Sequence, residues 1–129
     1  RDPRELAEAV RRRIVPLQLR RRGLARLEPL VVAPEFEADL QSWLSEGNLT
    51  PRPEIALHLR AVAAEYVTRL PRERASLVCT AALRPALAEF LARFGLRLDV
   101  FAYGELPPEL ELRPALVLDR PPPAAALAS

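Results

Sequence analysis

The residues with the most chemical reach in this 129-residue chain are few. His58 is the single histidine and Cys79 the single cysteine. A nucleophilic thiol needs an adjacent base, so the two could act together only if folding joined them. Their surroundings argue otherwise. His58 falls beside the apolar stripe of a helical pattern, and Cys79 closes an apolar run, where a thiol behaves as a small hydrophobe. Glu105, Glu109 and Glu111 cluster where ligand sites of open α/β sheets often lie, but lack the partners that metal or acid–base chemistry requires. The four glycines, Gly23, Gly47, Gly95 and Gly104, stand singly and form no phosphate loop. No catalytic, cofactor-binding or metal-ligating set emerges, and the chain is not expected to be an enzyme.

Arginine is the other candidate. All 19 basic residues are Arg, which explains a pI of 9.3 at a formal charge of only +2. Residues 1–26 carry nine Arg against Asp2, Glu5 and Glu8, whereas the remainder carries more acids than arginines. The triplets Arg11-Arg12-Arg13 and Arg20-Arg21-Arg22 could neutralise phosphates, making a nucleic-acid-associated α/β domain with a basic helical arm the alternative reading. With four Phe, two Tyr and one Trp, mostly on apolar faces, no stacking platform supports it. A solvated face, or contact with a neighbouring subdomain or partner, is favoured for these six arginines.

The elements follow from periodicity. Residues 5–22 form a helical pattern with Leu6, Val10, Ile14 and Leu17 on one stripe, Pro16 inside it and Gly23 as its stop. Leu27 to Val32 reads as a strand and Pro34 to Glu46 as a helix bearing Phe36, Leu40, Trp43 and Leu44. Thr50 and Pro51 resemble an N-cap and first helical position, opening a helix marked by Ile55, Leu59, Val62, Tyr66 and Leu70. Ser76 to Cys79 reads as a buried strand, Leu83 to Phe94 as a helix stopped by Gly95, and Leu96 to Ala102 as another strand. These three make a βαβ unit. Ala115 to Leu118 adds a short strand, and the Pro/Ala-rich end a loose tail.

The expected fold class is therefore α/β (α+β): a small, mostly parallel sheet with packed helices. Residues 1–23 are expected to be the last helix of a preceding, truncated all-helical subdomain, 24–118 the α/β subdomain, and 119–129 a flexible tail. Apolar runs such as Leu30 to Ala33 fall far short of the roughly 18 residues of a membrane span. A first residue that is Arg1 and not Met leads us to expect a piece of a longer protein.

The segment Ser76 to Leu106 carries a resemblance. Leu77-Val78-Cys79-Thr80, then Leu83-Arg84 opening a helix, then Leu98-Asp99-Val100-Phe101-Ala102-Tyr103-Gly104-Glu105-Leu106 resembles the C-terminal end of the large export-gate protein family of type III secretion. The upstream arginine-rich helix, Leu27-Glu28-Pro29-Leu30-Val31-Val32 and Pro34-Glu35-Phe36-Glu37 follow the same family order, so the likeness runs to about Leu118. Ala82, Phe101 and Ala102 depart from it modestly, and the Ala-Tyr-Gly-Glu-Leu-Pro wording leans to the injectisome over the flagellar branch.

The resemblance implies a non-enzymatic role in protein export. The full-length protein would sit in the bacterial inner membrane, with this soluble piece at its cytoplasmic face. Its partners would be other copies in a nine-membered ring, export chaperones and substrates, and other export components, with no cofactor and no nucleic acid. Arg84, Tyr103 and Glu105 match the family motif, and their role is read as structural. Arg84 and Glu105 are expected to pair at the carboxyl end of the sheet, with Tyr103 packed beneath them.

Overall fold

A central strand that is apolar and buried at every position, Leu30–Val32, needs cover on both faces, and this requirement organises the molecule. The computed structural model describes residues 2–45, 53–70 and 75–122. Its helices are α1 (Pro3–Arg21), α2 (Pro34–Ser45), α3 (Pro53–Arg69) and α4 (Arg84–Arg93). Its strands are β1 (Arg26–Leu27), β2 (Leu30–Val32), β3 (Ser76–Cys79), β4 (Asp99–Ala102), β5 (Glu111–Leu112) and β6 (Leu116–Leu118). The main sheet has the order β4-β3-β2-β6, every pair parallel, and β1 pairs with β5 in a parallel two-stranded annex. Among the described residues, no helix is long and apolar enough to cross a membrane.

Strand alternation divides the core in two. Leu30, Val32, Leu77, Cys79 and Leu118 join the larger cluster with Phe36 and Leu40 of α2, Leu59 and Tyr66 of α3, and Leu87 and Leu91 of α4. Val31, Val78 and Phe101 point the other way and meet Val15 and Leu19 of α1, together with Leu27. Helix α1 thus covers one face of the sheet and α2, α3 and α4 the other.

Local signals set the ends of α1. The Asp2 carboxylate accepts a hydrogen bond from the Arg4 N–H at 2.9 Å, and Pro3 follows at the first helical position. Gly23 closes the helix at φ 68°, a conformation that side chains resist. Pro16 is accommodated inside the helix.

Several expectations change. The stripe Leu6, Val10, Ile14 and Leu17 does not face the sheet; these residues are 51%, 46%, 44% and 57% exposed. The opposite side packs, because it combines Val15 and Leu19 with charged residues that find partners at the sheet edge. The strand expected over Leu27 to Val32 breaks at Glu28-Pro29, where the chain moves from pairing with β5 to pairing with β3 and β6. The Tyr66 hydroxyl donates to the Glu28 carbonyl at that break, at 2.7 Å. The strand expected from Leu96 begins at Asp99, and Phe94 is 42% exposed beneath the Arg60 guanidinium. Strand β5 was not anticipated. Thr50, Pro51 and the tail from 123 lie outside the described residues.

Candidate functional site

Two buried charged residues, Arg84 and Glu105, sit at the edge strand β4 at 8% and 1% exposure. Burying charge is costly unless each ion is paired and its remaining hydrogen-bonding capacity satisfied. The partners come from α1. Arg84 opens α4 and forms a two-pronged pair with Glu8, its Nε 2.6 Å from Oε1 and its Nη2 2.8 Å from Oε2. Glu105, in the 3-10 turn Tyr103–Glu105 after β4, is held by Arg11: Nε donates to Oε2 at 2.8 Å and Nη2 to Oε1 at 3.2 Å. Planar guanidinium forks match carboxylates in this way.

One backbone oxygen joins the two pairs. Arg84 Nη1 and Arg11 Nη2 donate to the Val100 carbonyl at 3.1 and 3.2 Å. Glu105 Oε1 also accepts the Ala102 N–H at 2.9 Å. The cluster occupies backbone groups on the outer side of β4 that another strand would otherwise use.

This geometry corrects the expected pairing. Arg84 and Glu105 lie at the same sheet edge but do not form a direct ion pair: Glu8 holds the guanidinium and Arg11 the carboxylate. Tyr103 is 46% exposed and does not pack beneath them, because the 3-10 turn buries Glu105 in its place. Burial raises the Tyr103 hydroxyl pKa.

The remaining arginines divide. Arg20 pairs with Glu109 and Arg22 lies 3.8 Å from Asp99, while Arg12, Arg13 and Arg21 are exposed. The expected acidic cluster is likewise distributed: Glu105 to Arg11, Glu109 to Arg20, and Glu111 to Arg26 and Arg113. Among the described residues, no group of three His, Cys, Asp or Glu could hold a metal.

Electrostatics follow the contacts. The Arg84 hydrogen bonds hold the Glu8 carboxyl below its usual range, against the opposing effect of burial. Burial works against the charge on Arg84, and the Glu8 carboxylate outweighs it, raising the guanidinium pKa. Burial pushes the Cys79 thiol up to about 12. His58 Nε2 lies 2.6 Å from the Asp119 carbonyl and its ring meets Phe36 edge-on at 5.8 Å, while Cys79 is buried in the core.

Glu8 was the residue missed by sequence reasoning. Its spacing to Val15 and Leu19 places it on the buried face of α1, the signal that could have found it. Together the four side chains can brace a sheet edge and tie α1 to α4; each carboxylate is already engaged by a guanidinium.

No family model and no curated protein matches the chain. Solved structures do. Shigella flexneri MxiA aligns with 92% of this chain and 39% of its own at TM-score 0.70 and 14% identity. Chlamydia pneumoniae CdsV aligns with 93% of this chain and 34% of its own at TM-score 0.68 and 18% identity. A nonameric EPEC SctV-C structure aligns with 87% and 33% at TM-score 0.57 and 15% identity. The chain therefore spans between 33% and 39% of the length of these neighbours. At such identities the likeness is one of fold, and it agrees with the motif resemblance in the sequence: the neighbours are cytoplasmic domains of type III secretion export-gate proteins of the injectisome. Over nearly all its length, the chain has a fold found in those domains.

Proposed function

We propose that the chain is a non-enzymatic module of the cytoplasmic part of a type III secretion export gate, and that it works in protein export. The observation that carries this reading is the fold likeness to MxiA across 92% of the chain, joined to the motif order from Ser76 to Leu106. In the longer protein the module sits at the cytoplasmic face of the bacterial inner membrane. It assembles with other copies into a ring, a reading supported by the nonameric neighbour. That ring docks export chaperones and substrates and meets other parts of the apparatus.

The exposed stripe Leu6, Val10, Ile14 and Leu17 supports a second part of the proposal. Residues 1–23 belong jointly to this module and to a preceding helical subdomain, which packs on that stripe. Residues 24–118 form the module proper and 119–129 its tail. The nucleic-acid alternative is disfavoured by the pairing of Arg11, Arg20 and Arg22 with acids of the same chain.

Deleting the encoded segment in the organism that carries it tests the reading. Loss of type III substrates from the culture medium, restored by the intact gene, is the expected result; unchanged export contradicts it.

A further inference from the structure

Ser76 opens β3 and is 2% exposed. Among the described residues, its Oγ is a buried side-chain oxygen with no hydrogen-bond partner in the protein. A buried hydroxyl without a partner is costly, and native folds keep few of them. The nearby Tyr66 hydroxyl is engaged elsewhere: it donates to the Glu28 carbonyl and accepts the Ser76 N–H.

Strand alternation turns the Ser76 side chain to the same face as Val78, the side on which Leu27 and Phe101 pack. A small cavity lies there, at the amino ends of β3 and β4, lined by Ser76, Leu27 and Phe101 together with Arg22, Arg26 and Asp99. Its volume is about 20 Å³, enough for one water, which needs roughly 10–15 Å³. A small-molecule site is more than about tenfold larger. The charges around the cavity are matched: Arg22 Nη1 lies 3.8 Å from Asp99 Oδ2, and Arg26 Nε 3.3 Å from Glu111 Oε2. An ion would meet no surplus charge of either sign, whereas a water both donates and accepts. The Arg22–Asp99 separation is also longer than a direct hydrogen bond, a spacing that a bridging water suits.

We propose that this cavity is the site of one internal water, hydrogen-bonded to Ser76 Oγ and bridging it to the Arg22–Asp99 pair. Such waters satisfy buried polar groups and are part of the fold. This one joins the first residue of β3, the first residue of β4 and the C-cap of α1, which is Arg22. The pairs Glu8–Arg84 and Arg11–Glu105 hold α1 nearer the carboxyl end of β4. The water fastens its other end, so α1 is tied to the sheet at both ends of that strand. The proposal rests on the cavity and the Ser76 hydroxyl and does not depend on a role in export.

Magnetic relaxation dispersion of the water oxygen nucleus tests it on the 129-residue chain, because it counts waters held longer than the tumbling time and is blind to labile hydroxyl protons. The Ser76→Ala variant is expected to hold one long-lived water fewer than the parent. The urea midpoint gives a second readout whose sign separates the two states of the hydroxyl. If Ser76 Oγ is bridged by water, Ser76→Ala removes a made hydrogen bond and the midpoint falls; if the oxygen is dry, the substitution removes an unsatisfied group and the midpoint rises. The proposal predicts the fall. Dispersion of equal amplitude in the two proteins, or a midpoint in Ser76→Ala that is unchanged or higher, overturns it.

Discussion

Arg11 and Arg84 donate to the same backbone oxygen, that of Val100, from helices on opposite faces of the sheet. Each guanidinium is anchored by a carboxylate, Arg84 by Glu8 and Arg11 by Glu105. Glu8 and Arg11 lie on α1, so both pairs fasten that helix across the open edge of β4. The latch thereby supplements the small apolar contact made by Val15 and Leu19.

Acid should loosen the latch. The Glu8 carboxyl titrates below its ordinary value of 4.5 because Arg84 hydrogen-bonds its charged form. A depressed carboxylate contributes stability in full above its unfolded pKa, and that contribution is lost as pH falls through the folded value. The urea midpoint is expected to fall as pH drops below about 4.5, with a shallower fall in Glu8→Gln. Equal slopes in the two proteins contradict this assignment.

Cys79 should be inert in the folded chain. It is fully buried and its pKa is pushed up to about 12, so the thiolate is scarce at neutral pH. Ellman's reagent at pH 8 is expected to react slowly with native protein and at once after urea is added. Rapid reaction of the native thiol would show that β3 is more accessible than its burial implies.

Tyr66 should matter through its hydroxyl. That oxygen donates to the Glu28 carbonyl at 2.7 Å and accepts the Ser76 N–H at 3.2 Å, bridging the break between β1 and β2 to the start of β3. Tyr66→Phe leaves two inward-facing backbone groups unsatisfied and is expected to cost about 2 kcal/mol in urea unfolding. A loss within error of zero removes the bridge from the account.

The sequence was most informative where local chemistry decides. Ser76 to Cys79 is apolar enough to be read as a buried strand, Gly95 marks the end of α4, and both survive in the structure with little change of boundary. The orientation of α1 was less legible. Hydropathy favours the Leu6, Val10, Ile14 and Leu17 side, whereas the packed side mixes Val15 and Leu19 with Glu8 and Arg11, whose charges look solvent-facing until their partners are known. Those partners lie 76 and 94 residues away, beyond any local signal. The family motif brought Arg84 and Glu105 to the right edge but could not reveal α1 between them. Strand β5, two residues long, has too short a pattern to register.

The latch is tested most directly by a double-mutant cycle on Glu8→Ala and Arg84→Ala, followed by urea unfolding. Removing either partner leaves a charge at the sheet edge poorly compensated, so each single variant is expected to lose about 3 kcal/mol. The double variant should lose much less than the sum, giving a coupling of about 1–3 kcal/mol, larger than that between Arg84→Ala and Glu105→Ala. Fully additive losses for Glu8 and Arg84 would contradict the latch.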